Sequence, residues 1–187
     1  MNCSAKIRTS TTRKLLTAGI LALLAVSCAE TPRQQEVLPE QEACNRLKDL
    51  IADHANQFQK YKTNFTRLRN LNSWSVVKVF PDAQECKVWE WSSGLNNYIC
   101  NWKSSEGEAG ARTDHQEAVA IIRNCLGSDW RSSTNRTTSG GEHTLFENPA
   151  TRTAVSMRYF RESRGWVRNW HAVLSIGDRS NLKAKTQ

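Results

Sequence analysis

From Cys44 onward, apolar or aromatic-type side chains recur at 44, 47, 51, 54, 58, 61, 65 and 68 (Cys, Leu, Ile, His, Phe, Tyr, Phe, Leu), in steps of three and four. Only a helix puts such positions on one face, so the spacing predicts a helix beginning near residue 42 and running toward Leu68, with Thr63-Asn64 as a candidate break. The spacing is also that of a heptad seam. Its short length and the presence of Cys44 and His54 in it favour a helix covering a sheet over a coiled-coil dimer. The period then changes. Residues 74–80, 85–91 and 97–103 are rich in β-branched and aromatic side chains, are separated by Pro81-Asp82 and Gly94, and predict three strands. Ser92-Ser93-Gly94 fits a three-residue hairpin loop with glycine in the left-handed position.

Residues 104–112 read as a polar loop ahead of Thr113-Asp114-His115-Gln116, which has capping-box spacing. Ala118, Val119, Ile122, Cys125 and Leu126 then line one face of a second helix that Gly127 stops. Residues 132–142 read as a loop, and 143–148, 153–161 and 166–176 as three more strands. Setting Arg161 opposite Trp166 puts Val155, Met157, Tyr159, Trp170, Ala172, Leu174 and Ile176 on one face, with Ser156, Arg158, Asn169 and His171 on the other. One helix followed by three strands thus occurs twice. The expected fold class is α+β, with two helices covering one side of a mostly antiparallel sheet of five to six strands. Residues 42–178 suffice for one core, and 179–187 read as a disordered basic tail.

Upstream, Lys6, Arg8, Arg13 and Lys14 precede an uncharged apolar run, 15–26, closed by Ser27-Cys28. This is the order of a signal peptide, assigned to 1–27. As a helix the run would span about 18 Å at ~1.5 Å per residue, against roughly 30 Å of hydrocarbon, too short for a permanent span. Ala25-Val26-Ser27-Cys28 resembles the lipobox of bacterial lipoproteins, with alanine where that family usually has leucine. The resemblance, confined to the leader, implies cleavage before Cys28, acylation of its thiol and membrane attachment through the lipid. With Ala29 rather than aspartate following, it also implies an outer-membrane location facing the periplasm. Ser27-Cys28-Ala29 is equally a small-x-small site at which ordinary secretion would release a soluble chain. Residues 28–41, polar with two prolines, read as a flexible tether.

The leader alters the charge picture. The chain carries 26 Lys+Arg and 18 Asp+Glu, but four of the basic residues and no acidic ones lie in 1–27, so the net charge falls from +8 to +4 without them. Arg152, Arg158, Arg161, Arg164 and Arg168 concentrate in the last two strands and their connection. Such a cluster is most simply a solvated face. Its functional reading is an anionic partner: lipid head groups, cell-wall carboxylates or an acidic envelope protein. Nucleic acid is disfavoured by compartment, and Asn64-Phe65-Thr66 and Asn135-Arg136-Thr137 carry no meaning as glycosylation acceptors in a bacterium. The seven tryptophans read mainly as core and packing layer, with Trp89, Trp91 and Ile99 as an alternative exposed platform for glycan or peptide. The candidate partner-binding residues are therefore Arg158, Arg164, Arg168, Trp89 and Trp91.

With Cys3 in the leader and Cys28 acylated, Cys44, Cys86, Cys100 and Cys125 remain. No Cys-x-x-Cys occurs and no histidine stands at ligand spacing, so two disulfides are expected rather than zinc. Centring the first hairpin on Ser93 places Cys86 opposite Cys100, which leaves Cys44 to meet Cys125 across a helix contact; a shifted register would instead send Cys86 or Cys100 to a helix. Catalytic signatures, cofactor fingerprints and phosphate loops are missing from the sequence. The expectation is a non-enzymatic cell-envelope lipoprotein that binds another envelope component, as an accessory factor of an outer-membrane or secretion assembly or as an immunity-type inhibitor. The competing class is a small periplasmic hydrolase or cell-wall-acting enzyme built on a dispersed triad.

Overall fold

In the computed structural model, which describes residues 39–78, 80, 83–103, 107–162 and 169–183, the chain is α+β with three helices and one fully antiparallel eight-stranded sheet. The leader, Cys28 and most of the tether lie outside the described residues. The elements are α1 (Glu40–Asp53), β1 (Lys62–Leu68), β2 (Leu71–Val76), β3 (Glu85–Trp91), β4 (Asn96–Lys103), α2 (Gly107–Leu126), β5 (Arg131–Arg136), β6 (Gly141–Glu147), β7 (Thr153–Arg161), β8 (Trp170–Asp178) and α3 (Arg179–Lys183). The strand order is β1-β2-β3-β4-β8-β7-β6-β5. Each half is one helix followed by a four-strand meander, and the halves join edge to edge through their last strands, β4 and β8.

Two strands beyond the expected count arise where the chain is polar. β5, Arg-Ser-Ser-Thr-Asn-Arg, was expected to be loop; it pairs only with β6 and is exposed throughout. It buries no apolar stripe, so no periodicity announces it. β1 corrects the long-helix reading. α1 ends at Asp53, a 3₁₀ turn covers His54–Asn56, and Gln57 and Phe58 both adopt left-handed φ of 58°. That conformation costs about 1–2 kcal/mol per non-glycine residue, and full burial of Phe58 against His54 and Tyr98 returns roughly as much. The reversal sends Phe65 and Leu68 out on β1, 49% and 47% exposed, instead of along a helix.

α2 also starts earlier than the capping box predicted. Ala109, Ala111 and the Glu108–Arg112 pair one turn apart favour helix from Gly107, so Thr113 lies inside it. Ala111, His115, Val119, Ile122 and Cys125 form its buried stripe, and Gly127, at φ 74°, stops it. The supposed tail begins as α3, because Leu182 packs with Leu145 and Ala154 while Arg179 donates to the Asn148 and Thr151 carbonyls.

α1 and α2 cover one face of the sheet. Leu47, Phe58, Val119 and Ile122 meet Val88, Tyr98, Phe146, Val155, Met157, Leu174 and Ile176 there, each fully buried aliphatic side chain contributing roughly 1.5–3 kcal/mol. Cys44–Cys125 joins the two helices, with Cα atoms 4.9 Å apart, and Cys86–Cys100 bridges β3 and β4 at 4.1 Å. The first hairpin has Val88 opposite Tyr98 and Cys86 opposite Cys100 around Gly94 at φ 81°. The last hairpin keeps its expected core face, but Arg161 pairs with Trp170 rather than Trp166. A slip of four residues preserves side-chain parity, and it lengthens the connection at the expense of β8's start.

Candidate functional site

Alternation along the strands assigns the opposite face. Since Val88, Cys100, Met157 and Leu174 point to α1 and α2, their neighbours Lys87, Trp89, Ile99, Asn101, Arg158, Phe160, Val173 and Ser175 point away. These residues line a groove of about 280 Å³ that crosses β3, β4, β8, β7 and β6. The β5–β6 turn, Thr137 to Ser139, and Leu182 of α3 also line it. A second hollow of about 330 Å³, between the end of α2, Trp130 and β5, brings together Arg123, Leu126 and Phe146 without a comparable set of polar groups.

Arg158 stands opposite His143 on β6 and Val173 on β8. Its guanidinium lies over the Phe160 ring, 4.7 Å from the centroid, and burial lowers its pKa. His143 is 4% exposed; burial first, then the positive charge of Arg158, and lastly repulsion from His115 when that ring too is protonated, hold its imidazole down at about 4. Lys87 is paired with Glu85 at 2.7 Å. Trp89 and Trp91 meet edge to face at 6.0 Å on this side of the sheet, Trp89 within the groove and Trp91 beyond it.

Of the residues proposed from sequence, the structure thus brings Arg158, Trp89 and Ile99 into one groove, whereas Trp74, Trp102 and Trp130 pack against the core. Trp89, Trp91 and Ile99 are half-buried on the face away from α1 and α2, and none of them belongs to the core cluster. Arg152 is 69% exposed at its side chain and 3.8 Å from Asp178, Arg161 is exposed outside the groove, and Arg164 and Arg168 lie outside the described residues. Sequence reasoning missed His143, Phe160 and the β5–β6 turn. The first two were detectable as the same-side neighbours of Arg158 once β6 and β7 were paired.

One arrangement has the order of a nucleophilic relay. His54 Nδ1 lies 2.7 Å from Thr153 Oγ1, and its Nε2 lies 3.4 Å from Asp178 Oδ2. His54, Thr153 and Asp178 are 1%, 4% and 7% exposed, so no carbonyl substrate reaches the hydroxyl. Asp178 also accepts the Asn96 backbone N–H at 3.0 Å. The three residues fasten the end of α1 to β7 and β8, and burial keeps His54 neutral by lowering its pKa. His115, on the buried face of α2 and 3.3 Å from Thr144, is lowered for the same reason. No group of three or more metal-ligating side chains converges among the described residues, and no helix there is long and apolar enough to cross a membrane.

These histidines predict acid sensitivity. A histidine with a folded pKa below its unfolded 6.5 binds protons more readily in the unfolded chain, so its contribution is intact above pH 6.5 and is lost as the pH falls through that value. For His143 alone the loss should reach about 3 kcal/mol by pH 4, with His54 and His115 adding in the same direction. Urea midpoints at pH 7.5 and pH 4.5 should differ accordingly, and His143→Gln should flatten the difference. A midpoint independent of pH in the native chain would refute this assignment.

Comparison with protein-family models, curated proteins and solved structures finds no match to this chain.

Proposed function

We propose that the chain is a non-enzymatic lipoprotein of the bacterial cell envelope, attached through acylated Cys28 to the periplasmic side of the outer membrane, that binds another envelope protein on the sheet face opposite α1 and α2. The observation that carries this reading is the groove itself. Trp89, Ile99, Phe160 and Arg158 converge on a face that no long helix among the described residues covers, and aromatic and arginine side chains in a recess are the usual anchors of protein interfaces. The two disulfides agree with an oxidising compartment. The sealed state of the His54 relay weighs against the hydrolase alternative.

The test is crosslinking of the full-length chain in intact envelopes. Trp89→Glu and Ile99→Lys should abolish capture of whichever protein the native chain holds stoichiometrically. Glu117→Lys, on the exposed side of α2, should leave it unchanged. Capture that survives both groove substitutions overturns the assignment of the face. In the same envelopes Cys28→Ala should release the chain from the membrane fraction or leave it unprocessed, since a lipid needs the thiol, and membrane residence of a cleaved Cys28→Ala chain would remove the anchor reading.

A further inference from the structure

We propose that Arg158 anchors a carboxylate-binding site, and that its ligand is an aspartate or glutamate side chain presented between apolar neighbours by a protein partner seated in the groove. This deepens the partner-binding reading and rests on it. Several acids near the groove have other partners: Glu85 lies 2.7 Å from Lys87, Glu162 3.5 Å from His171, Glu147 2.8 Å from Lys183, and Asp178 is near His54 and Arg152. Among the described residues no carboxylate is within ion-pair distance of Arg158, and burial has taken part of its hydration. A partly desolvated cation without a counter-ion is costly, and an arriving anion recovers that cost.

The surroundings select the kind of anion. The guanidinium carbon lies 4.7 Å from the Phe160 ring centroid, an apolar contact that takes none of its N–H donors, and a planar fork of donors suits a bidentate carboxylate. His143, kept neutral beside it, adds no second positive charge, and Lys87 is compensated by Glu85. One net charge matches a monoanionic carboxylate better than a phosphate dianion. Trp89, Ile99, Val173 and Leu182 add apolar wall beside the serine, threonine and asparagine side chains of the groove, so apolar neighbours can flank an acid there.

The test is NMR of the full chain, following the Arg158 side-chain Nε–H and the backbone amides of His143 and Phe160. The probes are acetyl-Val-Glu-Val-amide, acetyl-Val-Gln-Val-amide and inorganic phosphate. The glutamate peptide should shift these signals, and the glutamine peptide should bind at least about tenfold more weakly, since a charge-assisted pair is replaced by a neutral one. Arg158→Gln should lose the same factor, and Arg158→Lys should recover only part of it, because lysine lacks the planar fork. Equal affinity for the two peptides, no shift at all, or phosphate binding as tightly as the glutamate peptide would each overturn the proposal. Envelope capture separates this failure from that of the broader reading. Capture lost in Trp89→Glu but unchanged in Arg158→Gln leaves the groove as the docking face and removes the carboxylate site, whereas capture retained in both removes both.

Discussion

Replacing Cys44 and Cys125 together by alanine should lower the unfolding free energy by about 4.5 kcal/mol, against about 3 kcal/mol for the Cys86/Cys100 pair. The difference follows from loop length, since the first bridge spans 81 positions of sequence and the second only 14. The long bridge also ties the helix of one half to that of the other, so its loss frees α1 to leave the sheet. A domain of this size holds only about 5–15 kcal/mol in total, and the Cys44/Cys125 variant should be near its unfolding midpoint under mild conditions. Urea titration of the two double variants, each with its other bridge intact, measures the order directly. Greater damage from the Cys86/Cys100 change would contradict it.

Gly177→Ala should be comparably severe, at about 4 kcal/mol or more, for a steric reason. Gly177 lies on β8 opposite Asn97 of β4, at the seam where the two halves meet. A Cβ there would run into the Asn96 carbonyl and the Asn97 side chain and would lie 2.9 Å from the Asn97 Cα, so the strands themselves would have to separate. Gly94→Ala supplies the contrast. Its φ of 81° is unfavourable for alanine, but nothing lies within 4 Å of the added methyl, and it should cost only about 1–2 kcal/mol. If thermal denaturation shows the two variants equally stable, backbone contact at the seam is not what fixes Gly177.

What could be read from sequence was whatever buries apolar surface at a fixed period. Leu47, Val119 and Ile122 announced the covering helices, and alternation in 153–161 gave the core face of β7 even though the hairpin register was off by four. The two edge strands of the sheet were invisible because they bury almost nothing. The end of α1 was misread because the pattern continues through Tyr61 and Phe65 while the backbone reverses at Gln57 and Phe58, a conformation that no side-chain type there signals. The groove was half legible. Arg158 and Trp89 stood out by type, but β3 carries bulky apolar residues on both sides, and only the position of Cys86 and Val88 under the helices shows that Trp89 faces away from them.

The bridges are nested, the first cysteine of the domain joined to the last and the inner two to each other. A chain entering an oxidising compartment N-terminus first exposes Cys44 and Cys86 before Cys100 and Cys125, and oxidation in order of arrival would join the wrong pairs. In a chain exported that way, native connectivity would have to wait for α2 to arrive or be reached by thiol exchange, so maturation would depend on how fast the compartment oxidises and how well it reshuffles.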